Sequence, residues 1–162
     1  MFDQDMCVQS EALLQSLRAA GLLLATAESC TGGLIAGLLT EIAGSSDVVD
    51  RGFVTYSNEA KNECLGVPMA LIEEHGAVSE EVARAMAKGA VHRSRAAIAV
   101  AVTGVAGPGG GTKDKPVGLV HIAVARKGGE TVHKRLQLGE IGRSNVRIET
   151  VKAALTLVAE AI

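Results

Sequence analysis

Aromatic side chains are almost missing from this chain. There is no Trp, one Tyr and two Phe, 2% of the residues in all. A protein that grips single-stranded nucleic acid needs aromatic platforms along a positive groove. Lys and Arg form no basic run here, and the formal net charge is -2, so no nucleic-acid partner is expected. Cysteine is also scarce. Cys7, Cys30 and Cys64 are odd in number and no two are spaced as CxxC. That pattern argues against a zinc site or a disulfide framework, and free thiols fit a reducing compartment. Met1 to Cys7 carries Asp3 and Asp5 and lacks the basic start and apolar stretch of a signal peptide. No apolar run approaches the ~20 residues that span a bilayer. The expectation is a soluble, cytoplasmic protein with no membrane partner.

What is present suits a compact α/β domain. The 162 residues are 48% hydrophobic and 21% charged, enough to bury a core without metals or disulfides. Leu13, Leu14 and Leu17 recur at helical spacing within Glu11 to Ala20, and Gly21 is a natural stop. Leu22 to Ala27 reads as a buried strand, Thr31 to Ile42 as a helix, and Gly44 to Asp47 as a loop. Gly52 to Ser57 reads as a second strand. Asn58 to Leu65 is a short helix ending at Gly66, and Met69 to His75 adds a helical turn. Ser79 caps a clear helix with Glu80 and Glu81 in its first turn, running to about Ser94.

Ala96 to Val102 is apolar at every position, the mark of a strand covered on both faces. A glycine-rich loop follows from Thr103 to Thr112. Val117 to Arg126 and Thr131 to Leu138 read as a hairpin joined at Lys127 to Glu130. Arg143 to Ile162 is a long amphipathic helix. Strands alternating with helices, plus one late hairpin, predict a three-layer α/β/α sandwich with a mixed, mostly parallel sheet. Ligands of such sheets sit at the carboxyl ends of the parallel strands. Glu28 to Thr31, Tyr56 to Asn58, and Thr103-Gly104 with its loop should converge there.

Each candidate residue in that set has a plain reading and a chemical one. Ser29, between strand and helix, reads as an N-cap, or as a hydroxyl exposed on a sharp turn beside helix N–H groups that could hold an oxyanion. Gly32 and Gly33 would let a substrate approach the backbone. The GxSxG pattern is absent. A serine nucleophile needs a base, yet His75, His92, His121 and His133 all fall outside the converging loops and read as surface or structural. Lys61 reads by itself as an exposed helix lysine; it serves as a base only if burial or nearby charge lowers its pKa. Tyr56, the one tyrosine, is a rim residue or an assisting hydroxyl. Thr103-Gly104 is a tight turn or a donor facing a carbonyl. Gly107 to Thr112 could cradle a phosphate, but lacks the GK[ST] ending of a Walker A loop. Arg143 and Arg147 are solvated helix residues or meet a phosphate at a helix start. Cys30, beside Ser29, is a rival nucleophile.

Five segments together are specific. Leu24-Ala-Thr-Ala-Glu-Ser-Cys-Thr-Gly-Gly33, Gly52-Phe-Val-Thr-Tyr-Ser-Asn-Glu-Ala-Lys61 and His75-Gly-Ala-Val-Ser79 resemble, in order and spacing, the CinA C-terminal domain family. So do Thr103-Gly-Val-Ala-Gly-Pro-Gly-Gly110 and Lys115-Pro-Val-Gly118. The resemblance runs from about Gly21 to the end, so residues 1–162 are read as one domain of this kind.

That family is known as nicotinamide-nucleotide amidohydrolase, the deamidase of nicotinamide mononucleotide in pyridine-nucleotide salvage. The resemblance implies an α/β/α fold, a serine/lysine mechanism, no metal and no cofactor, and a small nucleotide as the substrate partner. It implies Ser29 as nucleophile, Lys61 as base and Tyr56 as assisting hydroxyl. Cys30, Thr31, Gly32, Thr103, Gly104, Gly107, Gly109, Gly110 and Arg143 are the expected substrate-binding set, with Arg143 on the phosphate side. Many relatives carry an acidic residue just before that arginine, where this chain has Gly142. Functions tied to the larger N-terminal domain of some relatives are not expected here. A homo-oligomer is compatible with the sequence. The alternative to an enzyme is a non-catalytic nucleotide-binding module using the same pocket.

Overall fold

The structure is a computed structural model, describing residues 2–162. Its centre is the strand β3, Ile98–Gly104, in which side chains alternate between two faces. Ile98, Val100 and Val102 point into one core, and Ala99 and Ala101 into the other. The strands β1 (Leu24–Glu28) and β4 (Leu119–Arg126) alternate in the same way. Leu24, Val120, Ile122 and Val124 join the large-residue face, and Ala25, Ala27, Ala123 and Ala125 the alanine face.

The large-residue face is covered by α1 (Gln4–Ala20), α2 (Leu34–Glu41) and α6 (Arg143–Glu160), through Leu13, Leu17, Ile35, Leu38, Val151 and Leu155. The alanine face is covered by α3 (Asn58–Leu65), α4 (Met69–His75) and α5 (Glu80–His92). Small side chains there let α5 lie close to the sheet, and Gly89 lets it meet α3: a Cβ at Gly89 would collide with the Leu65 carbonyl.

The edge strands are β2 (Val49–Val54) and β5 (Val132–Gln137), and the order across the sheet is β2-β1-β3-β4-β5. The β1–β2 and β1–β3 pairs are parallel; β3–β4 and β4–β5 are antiparallel. Only β4 therefore runs against the rest. This is the mixed, mostly parallel sheet in a three-layer α/β/α sandwich that the pattern predicts.

Several boundaries differ from the sequence reading, each for a local reason. The first helix starts at Gln4 rather than Glu11, because Asp3 caps it by accepting from the Met6 N–H at 2.8 Å. The second starts at Leu34 rather than Thr31, because Gly32 and Gly33 take φ of 59° and 96°. β2 ends at Val54, and Ser57 leaves the sheet to cap α3, accepting from Ala60 N–H at 3.0 Å. β3 extends to Gly104, keeping Thr103 and Gly104 in the sheet opposite His121 and Val120. No helix of the described residues is long and apolar enough to cross a membrane.

Candidate active site

The carboxyl ends of β1, β2 and β3 open onto one cavity of about 300 Å³. It is lined by Ser29 and Cys30 after β1, Tyr56 after β2, Gly104 at the end of β3, Val78, the loop residues Val105, Ala106, Gly107, Gly109 and Gly110, and Arg143. A larger cavity of about 460 Å³ lies at the other end of the sheet, between the end of α5 and the β4–β5 turn. It holds no nucleophile paired with a base, so the smaller cavity is the candidate site.

Ser29 is not a helix cap. The first turn of α2 is instead satisfied by Glu28, which is fully buried. Its carboxylate accepts from the Gly33 and Ile35 N–H groups at 3.0 Å each and from Ala36 N–H at 2.9 Å. A carboxylate at a helix N-terminus also matches the positive end of the helix dipole. With those donors taken, the Ser29 hydroxyl is left free to pair elsewhere.

It pairs with Lys61. The Lys61 side chain comes from α3 and is only 1% exposed, against the plain reading of a solvated lysine. Its Nζ lies 3.2 Å from Ser29 Oγ, 2.9 Å from the Thr55 carbonyl and 3.5 Å from the Ser57 carbonyl. No carboxylate forms an ion pair with it among the described residues. Burial holds its pKa below the ordinary lysine value. Carbonyl oxygens only accept, so the two carbonyls take N–H bonds. A neutral amine has two N–H groups and one lone pair, and Ser29 is the one neighbour able to donate to that lone pair. In that uncharged form the lysine can accept the Ser29 proton, while as an ammonium its three N–H groups match these same three acceptors.

Cys30 is 5% exposed, and burial pushes its thiol up to about 11. It is a neutral thiol near pH 7, unlike the low-pKa cysteines that act as nucleophiles.

Tyr56 stands at the cavity mouth, and its hydroxyl accepts from Arg143 at 2.9 Å rather than meeting Ser29 or Lys61. Arg143 also donates to the Gly107 carbonyl at 2.8 Å, tying the glycine loop to α6. Both acceptors are neutral, and Arg143 forms no ion pair among the described residues, which leaves its charge beside the cavity.

Three expected binding residues do not line the cavity. Thr103 is buried and donates to the Ala77 carbonyl at 2.8 Å, which holds the loop carrying Val78. The Thr31 side chain is buried, its hydroxyl without a hydrogen-bond partner among the described residues, and Gly32 packs toward Arg147 instead. Arg147 is turned away from the cavity and donates to the carbonyls of Cys30 and Thr31 at 3.1 and 2.8 Å. Sequence reasoning placed Glu28 among the converging residues but gave it no role, and it gave none to Val78. The glutamate had a signal: a charge on the last residue of a mostly apolar strand, six residues before the start of α2.

No histidine lines the cavity. His133 Nδ1 lies 3.3 Å from the Glu80 carboxylate, and His133 Nε2 and His121 Nδ1 share a hydrogen bond at 3.0 Å whose direction is set by their tautomers. Burial is the main cause holding His121 down at about 4, and burial also lowers His133.

Fold and site together define an α/β/α domain in which a half-buried serine meets a buried lysine at the strand ends. The CinA C-terminal domain family matches residues 8–162, and this chain belongs to that family. It is similar to the CinA-like protein of Geobacter sulfurreducens, 53% identical over 89% of this chain and 34% of that protein. It is also similar to a putative competence-damage inducible protein of Caldicellulosiruptor bescii, 45% identical over 100% of this chain and 39% of that protein. The chain thus spans about a third of the length of these relatives. Among solved structures it resembles competence/damage inducible protein CihA from Agrobacterium tumefaciens, with a TM-score of 0.96 and 52% identity over 99% of this chain and 97% of that one. The competence-damaged protein (CinA) superfamily protein from Escherichia coli gives a TM-score of 0.92 at 34% identity over 100% of this chain and 94% of that one.

Proposed function

We propose that this domain is an amidohydrolase converting nicotinamide mononucleotide to nicotinate mononucleotide and ammonia, with Ser29 as nucleophile and Lys61 as base. The observation that carries the reading is the buried Lys61 Nζ at 3.2 Å from Ser29 Oγ. The substrate comes from the family resemblance. It is supported by the Arg143 charge and the glycine loop, which together suit a phosphate at one end of the cavity.

In the proposed reaction Lys61 takes the Ser29 proton as Oγ bonds to the carboxamide carbon. The positive pyridinium ring makes that carbon more electrophilic. Backbone N–H groups of Cys30 and Thr31, the central residues of a turn closed by Gly32 N–H to the Ser29 carbonyl at 3.0 Å, are the donors for the oxyanion. The C–N bond then breaks, and Lys61 returns its proton to the departing ammonia. Water hydrolyses the ester, freeing Ser29. Since the Tyr56 hydroxyl is bound to Arg143, proton return runs from Lys61 directly, and Tyr56 serves the mouth of the site. Arg143 and the loop supply positioning energy away from the reacting carbon.

Rapid acid quench followed by mass spectrometry tests the covalent step. The expected result is a nicotinate-mononucleotide ester on the Ser29 peptide that builds up with substrate and is absent in Ser29→Ala. Turnover with no adduct on Ser29, or an adduct on Cys30, contradicts the mechanism. A non-catalytic binding module would retain nucleotide affinity and give neither adduct nor ammonia.

A further inference from the structure

We propose that Arg147 is a positioning residue for catalysis, setting the direction of the peptide N–H that receives the oxyanion. The proposal rests on the serine-hydrolase reading above and goes beyond it in naming what holds the oxyanion donors in place.

Arg147 sits one turn into α6, behind the Ser29 turn and outside the cavity lining. Its Nε donates to the Cys30 carbonyl at 3.1 Å and its Nη2 to the Thr31 carbonyl at 2.8 Å. The rigid fork of a guanidinium can hold two adjacent carbonyls at once, which a lysine ammonium cannot do in the same geometry. The consequence follows from peptide planarity. In a trans peptide the C=O of one residue and the N–H of the next point in opposite directions. With the Cys30 carbonyl held on Arg147, the Thr31 N–H is turned to the other side of the turn. With the Thr31 carbonyl held likewise, the Gly32 N–H is turned away too, and it reaches the Ser29 carbonyl at 3.0 Å, closing the turn.

Two further observations show that the seat is built. Gly32 has φ of 59°, and a Cβ there would lie 3.3 Å from Arg147 Nη2, so a glycine gives the guanidinium its room. On the other side Glu28 takes the N–H groups of Gly33, Ile35 and Ala36. The Ser29 turn is therefore held by its carbonyls from α6 and by its following N–H groups from β1. The Cys30–Thr31 peptide is left with one orientation. Arg147 forms no ion pair with a carboxylate among the described residues, so its cost of burial is offset by these carbonyls alone.

The test reads Ser29 reactivity without the natural substrate. A fluorophosphonate forms an O–P bond to Ser29 as the P–F bond breaks; fluoride leaves and Lys61 takes the proton. This labelling needs the same oxyanion donors as amide hydrolysis. For Arg147→Ala, with its melting temperature measured alongside, the labelling rate is expected to fall about 10²-fold, the size seen when one oxyanion donor is lost. Millimolar guanidinium should restore part of it, while sodium at equal ionic strength should not. With nicotinamide mononucleotide, kcat should fall by the same factor and KM should change little.

Arg147→Lys, which keeps the charge and loses the fork, serves as the second variant, and an intermediate loss is expected of it. Folded variants of either kind that label at the wild-type rate overturn the proposal. Wild type that labels at Ser29 but leaves nicotinamide mononucleotide intact sinks only the substrate assignment, and the labelling comparison still decides Arg147. Wild type that never labels at Ser29 overturns the nucleophile and Arg147's role together.

Discussion

Lys61 shows how one side chain can be costly to the fold while serving the chemistry proposed for it. A fully buried ammonium with no carboxylate partner loses its hydration for little return. The structure lowers its pKa instead. Unfolded, the same lysine titrates near its ordinary value of 10.5. Between the lowered folded pKa and 10.5 the unfolded chain binds more protons, so stability rises with pH across that window. Lys61→Met keeps the length and removes the charge. It is expected to raise the melting temperature at pH 7, at about 2–4 °C per kcal/mol for a chain of this size, while abolishing activity. The gap to wild type should narrow as pH climbs toward 10.5. Calorimetry over pH checks it, and a lower melting temperature for Lys61→Met would show that the lysine stabilises the fold.

None of this was legible at Lys61 itself. A lysine in a short polar helix looks solvated, and what buries it is a long-range contact with the turn after β1. Its role in the sequence came from family resemblance alone. Ser29 was ambiguous for a related reason: whether it caps the helix depends on Glu28 reaching the same N–H groups first.

At the scale of elements, the apolar patterns gave the order of strands and helices well and the ends less well. β3 was readable because Ile98 to Val102 is apolar throughout. The start of α1 was not, because its first turn, Gln4 to Cys7, fully buries Met6 alone and sets it beside the acidic Asp5. Nor did the sequence show why β3 alternates between Val and Ala. That alternation divides a thick core from a thin one, and the thin one sets how closely α5 docks. Gly89 is the tightest point of that docking. Propensity alone favours Gly89→Ala by about 1 kcal/mol in a helix interior. The added Cβ would meet the Leu65 carbonyl, a backbone atom that cannot rotate aside. The clash should win, with a net destabilisation of about 1–3 kcal/mol. Urea unfolding of Gly89→Ala checks this, and a gain in stability would mean that α3 shifts freely.

Across the whole molecule, the ends of the strands and the β4–β5 edge do different work. The β1, β2 and β3 ends bring Ser29, the Tyr56 loop and Gly104 to one cavity, the convergence that a parallel α/β sheet predicts. On the alanine face, toward the β5 edge, His121, His133 and Glu80 tie β4 and β5 to α5. That link makes acid stability a property of the assembly. His121 titrates at about 4 when folded and at 6.5 in its unperturbed state, so the unfolded chain binds more protons between those values. Stability contributed by the neutral pair is present above pH 6.5 and declines as pH falls toward 4. A replacement of both histidines by apolar residues should flatten that slope in urea titrations from pH 7 to 4. An unchanged slope would locate the acid sensitivity elsewhere.

The central claim is that Ser29 and Lys61 release ammonia from nicotinamide mononucleotide. The direct measurement is ammonia release by wild type, Ser29→Ala and Lys61→Ala, with chelator present and each protein verified as folded. The account predicts turnover by wild type and loss of nearly all of it in both variants. Turnover that survives in either variant would contradict the serine–lysine mechanism, and a folded wild type that releases no ammonia would contradict the assignment itself.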